Sequence, residues 1–478
     1  MQLLGHRGGR LLAGWSGLGA IAALLPALWM WGFTVDDALI AVRYARHLTQ
    51  GTGWRFNVGG PSTDGVTPLP WPLLLAPFAR AAPLVVLGRA KLLGLFVWVA
   101  TGTALGRAVG RAAAPAWTGV AALAAMAMSV PVAAHAVSGM ETALATAVAT
   151  WAVLQDDRPR TAALLAGLAA ALRPELAPWA CTLAVGMTVV AGGGVARWIE
   201  AFAIAIGPFA LCAIARAIAW GKAAPLAVLA KPSDIEHGLA YAGAACVVTV
   251  VPVLVVAPLA LARQPRALAI VLAAFVHVAT VVLVGGDWMP YARLMVPVVP
   301  SLVLAAALIA GAAHPLATAA RSLVAGALGI ALIVRNGTPG RNVGADREAL
   351  IAEARPVLDG ERTRRVAALD IGWVSAATEA DVIDLAGLTD PEIATLPGGH
   401  TSKRVDARFL LAREPDLLLV YAPIGLPTGG LEAWSDTVTS RVVEARLIRD
   451  EAILRRFEPV AWLALSASGS GYVALRSH

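Results

Sequence analysis

A chain of 478 residues that is 58% hydrophobic and only 14% charged, with a mean hydropathy of +0.70, carries more apolar surface than a soluble fold can bury and reads as a polytopic membrane protein. Its net charge of +7 and pI near 9.8 arise before residue 336, and beyond that point acids slightly outnumber bases. Basic loops between apolar segments suit lipid headgroups and orientation signals, which excludes nucleic acid as the natural partner of this charge.

The first apolar run, 11–33, follows His6, Arg7 and Arg10 and lacks an obvious cleavage site, so a retained first span is expected. Directly after it, 34–71 is the longest polar interruption of the first two-thirds, and it opens with adjacent carboxylates, Asp36 and Asp37. A helix from that pair places Asp36, Ile40, Arg43 and His47 on one stripe and Asp37, Tyr44 and Leu48 on a second. One face then carries an acid at the helix start with two potential cations below it. An acid there can cap the helix and complement its dipole. Two acids beside a membrane boundary, followed by a loop rich in Gly, Pro and Asn, also suit a site. GTG at 51–53 lacks the strand, helix and third glycine of a dinucleotide loop and is expected to be a turn.

Apolar segments follow at 83–106, 115–132, 140–154, 160–172, 176–194, 199–219, 239–262, 267–285, 294–313 and 321–335, which predicts about eleven spans with the first. Cys181, Cys212 and Cys246 all fall inside them without metal-ligand spacing, so no disulfide framework is implied. Arg107, Arg111, Arg158, Arg160, Arg197, Arg263, Arg266 and Arg321 occupy connections on one side, with Arg7 and Arg10, and mark that side as cytoplasmic. On this topology Asp36, Asp37, Asp64, Glu141, Glu175, Asp234, Glu236 and Asp287 face outward, leaving Asp156, Asp157 and Glu200 inside. A carboxylate costs on the order of 2.5–3.5 kcal/mol at the centre of a spanning helix and less toward the interface. Acids gathered at one rim therefore suggest a shared outer cavity. No internal repeat of fixed period is visible, which weighs against a repeat-built transporter.

From 336 onward the composition turns soluble. DREALIAEARPVL reads as an amphipathic helix, RRVAALDIG and ADVIDLAG as short buried strands, and LLAREPDLLLVYAP as a helix end followed by a strand. The expected fold class is mainly α: a membrane helical bundle over 1–335, with a small α/β domain over 336–478 on the outer side. GLTDPEIA is expected to be a strand-to-helix connection more than a substrate lip.

The remaining motifs each have a structural and a chemical reading. SGMET puts Glu141 at a helix start, to cap it or to meet a ligand. ALRPE sets Arg173 and Glu175 around Pro174, either as a hairpin ion pair or with the arginine free to reach a phosphate. In AKPSDIEHGLAY, Lys231 is the candidate for a lipid phosphate. GGDWMPYARLMVP joins Asp287, Trp288, Tyr291 and Arg293 at an interface, where Trp and Tyr are also ordinary anchors. His277 lies within a span and is expected to be a satisfied packing histidine. HExxH, GxSxG and Walker patterns are missing.

Taken in order, DDALIAVRYARHLTQGTGWRFN, DGVTPLPW, SGMET, ALRPE, AKPS–GLAY, GGDWMPYARLMVPVVP and VIDLAGLTDPEIA resemble the bacterial polytopic glycosyltransferases of the type C (GT-C) superfamily. The likeness is to the group containing the terminal arabinofuranosyltransferase of the mycobacterial cell wall. That group's usual glutamate-glycine-tyrosine-threonine stretch here reads Asp64-Gly65-Val66-Thr67, without the tyrosine. The resemblance implies an inner-membrane enzyme with a periplasmic active site, transferring a sugar (arabinofuranose or another pentose or hexose) from a polyprenyl-phosphate donor to a cell-envelope acceptor. It implies a catalytic carboxylate at Asp36 or Asp37, and some type C enzymes hold a divalent cation beside such acids while others need none. Arg43, Arg173, Lys231 and Arg293 are then candidates for the donor phosphate, and Tyr44, Asp64, Glu141, Glu175, Asp287, Trp288 and Tyr291 for substrate contact. Single displacement with inversion is expected, with Asp36 as base and Asp37 as positioning partner or metal ligand, or in the reverse order. A flippase for a lipid-linked glycan and a non-catalytic envelope assembly protein are the competing readings.

Overall fold

The computed structural model describes residues 2–478 except 156, 361–362, 424, 426–430, 439 and 466–468, with side chains from residue 11 onward. Asp156 and the side chains of His6, Arg7 and Arg10 thus lie outside the described residues. The chain is mainly helical and ends in one five-stranded sheet. Each apolar segment of the sequence is mostly helical, but not every one is long enough to span. Five helices have the length and hydropathy to cross a membrane: Leu11–Trp29, Pro83–Ala112, Val195–Trp220, Pro265–Leu283 and Pro315–Leu358. A sixth is reached if Ala116–Ala127 and Val130–Ala136, bent by 62° at their junction, count as one. This corrects the expectation of eleven, because apolarity alone does not provide the roughly 20 residues that a bilayer requires. Thr142–Val153, Pro159–Leu172 and Ile235–Val248 are too short, and the run expected over 239–262 ends where Val250 turns to φ 67° ahead of Pro252.

The described residues divide into two compact units. The first comprises 1–34, 89–212 and 233–341 and holds most of the apolar helices. Its packing uses small residues where backbones nearly touch. A Cβ at Gly19 would lie 2.1 Å from the Gly102 carbonyl oxygen, and one at Gly106 would lie 2.3 Å from that of Trp15, so this helix pair depends on glycines spaced four apart.

The second unit comprises 35–88, 213–232 and 342–478. The polar stretch after the first span therefore folds with the C-terminal domain. Its sheet contains β1 (Arg365–Ala368), β2 (Asp381–Asp384), β3 (Leu417–Ala422), β4 (Phe457–Ala464) and β5 (Gly471–Ser477) in the order β2-β1-β3-β5-β4. β1 runs parallel to both β2 and β3, whereas β5 is antiparallel to β3 and β4. β1 to β3 match the expected strands, and their residues are apolar and buried as a covered parallel sheet requires. β4 and β5 were not expected. The edge strand β2 is covered by Asn57, whose amide nitrogen donates to the Val382 carbonyl at 2.9 Å while its oxygen accepts from Val382 N–H at 2.9 Å. Asp384 closes the following turn by accepting from the backbone of Ala386, Gly387 and Thr389, and Asp390 caps Pro391–Ala394, so GLTDPEIA is a strand-to-helix connection.

Candidate functional site

Helix Asp36–Thr49 forms where the helical spacing puts it, and both acidic residues stand in its first turn. It packs against the short helix Ile371–Ala377 that follows β1. Asp36 spans this contact: its Oδ2 accepts from Gly372 N–H at 2.8 Å and its Oδ1 from Trp373 N–H at 2.9 Å. Both oxygens are thereby engaged by backbone, so the expected free base at Asp36 is instead a tie to the C-terminal domain. A Cβ on Gly372 would fall 2.0 Å from the Asp36 carbonyl oxygen, and only glycine allows that approach.

Two strands run from β1 in opposite directions through the sheet, β2 to one side and β3 to the other. That makes the carboxyl end of β1 a switch point, the place where open α/β sheets leave a crevice. Asp370 sits there, two residues past the strand. Its Oδ2 accepts from Arg441 Nη2 at 2.6 Å and from the Tyr472 hydroxyl. Arg441 lies over the rings of Tyr421 and Tyr472 at 4.5 and 5.7 Å, and Trp373 packs on Tyr472 at 4.9 Å. Burial works to raise the Asp370 carboxyl, but Arg441, Arg347 and the tyrosine hydrogen bond outweigh it and leave the group below its ordinary range. Burial raises Asp36; Arg347 opposes that rise, while Asp370 and Asp37 add to it. His400, in the loop after Pro391–Ala394, is pushed down by burial and then by Lys231, against the pull of Asp37 and Asp370. Asp36, Asp37, Lys231, Arg347, Asp370, His400 and Arg441 thus share one electrostatic field inside the second unit.

Glu444, one turn beyond Arg441, completes the cluster. It accepts from Tyr421 N–H at 3.2 Å and faces Arg441 at 3.4 Å, and burial, only partly offset by Arg441, raises its carboxyl to about 8. A carboxyl raised on folding binds its proton more tightly in the native state, so stability falls as pH rises through the interval between the unfolded value and 8. Between pH 7 and 8 the neighbouring histidine, lowered on folding, is mostly neutral in both states, which leaves Glu444 as the main titrating group of this cluster. The thermal midpoint of the protein is expected to fall over that interval by an amount equivalent to about 1 kcal/mol per pH unit. Glu444→Gln should flatten the dependence, as followed by melting in detergent at a series of pH values.

Other residues singled out in the sequence take structural roles in the same unit. Arg43 is buried and donates to four carbonyls, of Phe56 (2.7 Å), Ser375 (3.3 Å), Thr378 (3.1 Å) and Ala380 (2.9 Å), so it ties loop, helix and sheet together and is not presented to a phosphate. His47, the second potential cation, contacts the Arg55 carbonyl through Nδ1 at 2.8 Å, and burial lowers its pKa, which corrects its reading as a charge. The Tyr44 hydroxyl is bonded to Thr63 and accepts from Gly65 N–H, and Asp64 pairs with Arg216 at 2.7 Å. These two residues fix the 63–67 turn in place of meeting a substrate. Gly51 and Gly53 adopt φ of 79° and 83°, as a turn requires.

The remaining candidates belong to the first unit. Arg173 lies between Glu141 (2.8 Å) and Glu175 (2.6 Å), all three buried or nearly so, which is the ion-pair alternative for that motif. His277 contacts the carbonyls of Glu175 and Leu294 with its two ring nitrogens, as a packing histidine does. Asp287 pairs with Arg293 at 2.8 Å, and Asp287 and Tyr291 line a largely apolar cavity of about 300 Å³ with Tyr241 and Asn336. Trp288 is 70% exposed and stacks on His237 at 4.3 Å.

Arg347, Asp370, His400, Arg441 and Glu444 escaped sequence reasoning, because each is one charged residue in a soluble stretch full of them. Only the position of Asp370 just past a strand gave a signal. Among the described residues no group of three or more His, Cys, Asp or Glu side chains stands close enough to hold a metal ion. Residues 352–472 match a family described as Domain of unknown function (DUF8728). No curated protein and no solved structure matches the chain.

Proposed function

We propose that this protein is a GT-C-type membrane glycosyltransferase that moves a sugar from a polyprenyl-phosphate donor to a cell-envelope acceptor on the periplasmic face, with inversion. The observation that carries the reading is the meeting of the acid pair with Lys231, Arg347, Asp370, His400 and Arg441 at the carboxyl end of β1. Breaking an anomeric carbon–phosphate bond needs cations for the departing phosphate and a base for the incoming hydroxyl. This cluster offers both.

In this scheme Asp37 removes the proton from the acceptor hydroxyl while the acceptor oxygen attacks the anomeric carbon and the bond to the phosphate oxygen breaks. The leaving group departs as polyprenyl phosphate toward Lys231. Asp36 is a positioning residue: its two backbone hydrogen bonds hold the first turn of the helix, and with it Asp37, against the domain carrying Asp370. The scheme takes no step through a metal ion. Glycan analysis of a deletion strain tests the reading. A lost or truncated envelope glycan, restored by the wild-type chain and not by Asp37→Asn, is the expected result; an unchanged glycan profile counts against it and favours an assembly role.

A further inference from the structure

Three nitrogen atoms around this cluster are shut off from solvent without a hydrogen-bond partner among the described residues: Arg347 Nη1, Trp373 Nε1 and His400 Nδ1. Leaving a buried polar atom unmatched costs about 1–3 kcal/mol, so three beside one pair of carboxylates form a pattern that calls for a ligand. Arg347 stands in the last turns of the long helix Pro315–Leu358, and Trp373 and His400 follow it in the chain. Lys231 stands near His400 and makes no ion pair among the described residues. Arg441 and Arg347 are set against Asp370 and Asp36, and the remaining acid of the field is Asp37. With Arg347 and Arg441 set against Asp36 and Asp370, Lys231 is the cation left to face both Asp37 and an incoming anion. Two N–H donors fixed in place (guanidinium and indole), a neutral imidazole and one ammonium suit the oxygens of a singly charged phosphate ester.

We propose that the C-terminal domain builds half of the donor's phosphate cradle, with Arg347, Trp373 and His400 binding the phosphate oxygens opposite Lys231. The cradle rests on the reading above for its lipid. His400 acts here as a neutral hydrogen-bonding group, which Lys231 and burial favour. Arg347 and Trp373 serve also to orient the phosphate, because their planar donors fix its rotation more tightly than an ammonium does.

The test uses the full chain in nanodiscs, with binding followed by thermal shift and by the fluorescence of a labelled polyprenyl phosphate. Polyprenyl phosphate is expected to bind, polyprenol of equal length to bind at least tenfold more weakly, and millimolar inorganic phosphate to compete. His400→Ala, Arg347→Gln and Lys231→Ala should each weaken binding about tenfold or more, and Arg455→Ala, at a side chain 80% exposed, should leave it unchanged. Competition by inorganic phosphate with no preference for the lipid would indicate a free-phosphate site and overturn the lipid assignment. Because Arg347→Gln can perturb folding, a polyprenyl phosphate carrying a diazirine next to its phosphate is also cross-linked to the wild-type chain. Peptides containing residues 347, 373 or 400 should carry the label, and their absence from the labelled set overturns the cradle. Sugar transfer undiminished in His400→Ala and Arg347→Gln would sink the cradle and leave the transferase standing. Phosphate-lipid binding without any transfer would do the reverse.

Discussion

Asp37→Asn is expected to lower sugar transfer by about 10²–10⁴-fold, the usual contribution of a positioned general base. The partner substitution behaves differently. Asn at 36 keeps one carbonyl oxygen but turns an amide N–H₂ toward a backbone N–H, so one of the two bonds from Gly372 and Trp373 is lost and the other weakened. Asp36→Asn should therefore lower stability by about 1–3 kcal/mol and depress transfer only as far as Asp37 is displaced. A steady-state assay run beside a melting curve separates the two. Equal loss of activity in both variants at unchanged stability would mean that Asp36 itself does the chemistry.

Gly372→Ala is expected to be the most damaging single methyl in the second unit. The added Cβ would lie 2.0 Å from the Asp36 carbonyl oxygen and 2.7 Å from its carbonyl carbon, and backbone cannot step aside as a side-chain tip can. Overpacking of this kind costs about 3 kcal/mol or more when backbone must shift. The expected outcome is a lowered thermal midpoint together with reduced transfer, because the same movement pulls Asp36 from its two N–H donors. Gly360→Ala is the matched control, since among the described residues its Cβ would meet nothing nearer than 3.9 Å. A wild-type midpoint for Gly372→Ala would show that the contact between the two helices is looser than drawn.

The parts of the fold legible in sequence were those set by local periodicity. The 3.6-residue stripes of DDALIAVRYARHLT predict helix Asp36–Thr49, and the buried runs RVAA, DVID and LLLVYA predict β1 to β3. Span count was less legible, because Thr142–Val153 is as apolar as a true span but only 12 residues long, and its ends depend on Gly139, Glu141 and Leu154 in three dimensions. β4 and β5 pair with each other and with β3, and β4, an edge strand with a bulge, is largely exposed along its first half, so no strong apolar alternation marks it. The acid pair stood out in the sequence, but its partners did not. Gly372 and Trp373 lie 336 and 337 positions from Asp36, and nothing local announces a backbone N–H donor. Arg43 misled for a similar reason: a cation on the same stripe as an acid suggests a ligand until the four carbonyls around it come from residues 56, 375, 378 and 380.

The account turns on the chemistry at the start of helix Asp36–Thr49, and the most direct measurement is a single-turnover assay with the purified chain in nanodiscs and a radiolabelled polyprenyl-phosphate sugar. The account predicts that label leaves the lipid, to an added acceptor glycan or to water, and that it stays on the lipid when Asp37 is Asn. Label retained by the wild-type protein with every sugar donor and acceptor supplied, or released equally by the Asp37→Asn chain, would contradict it.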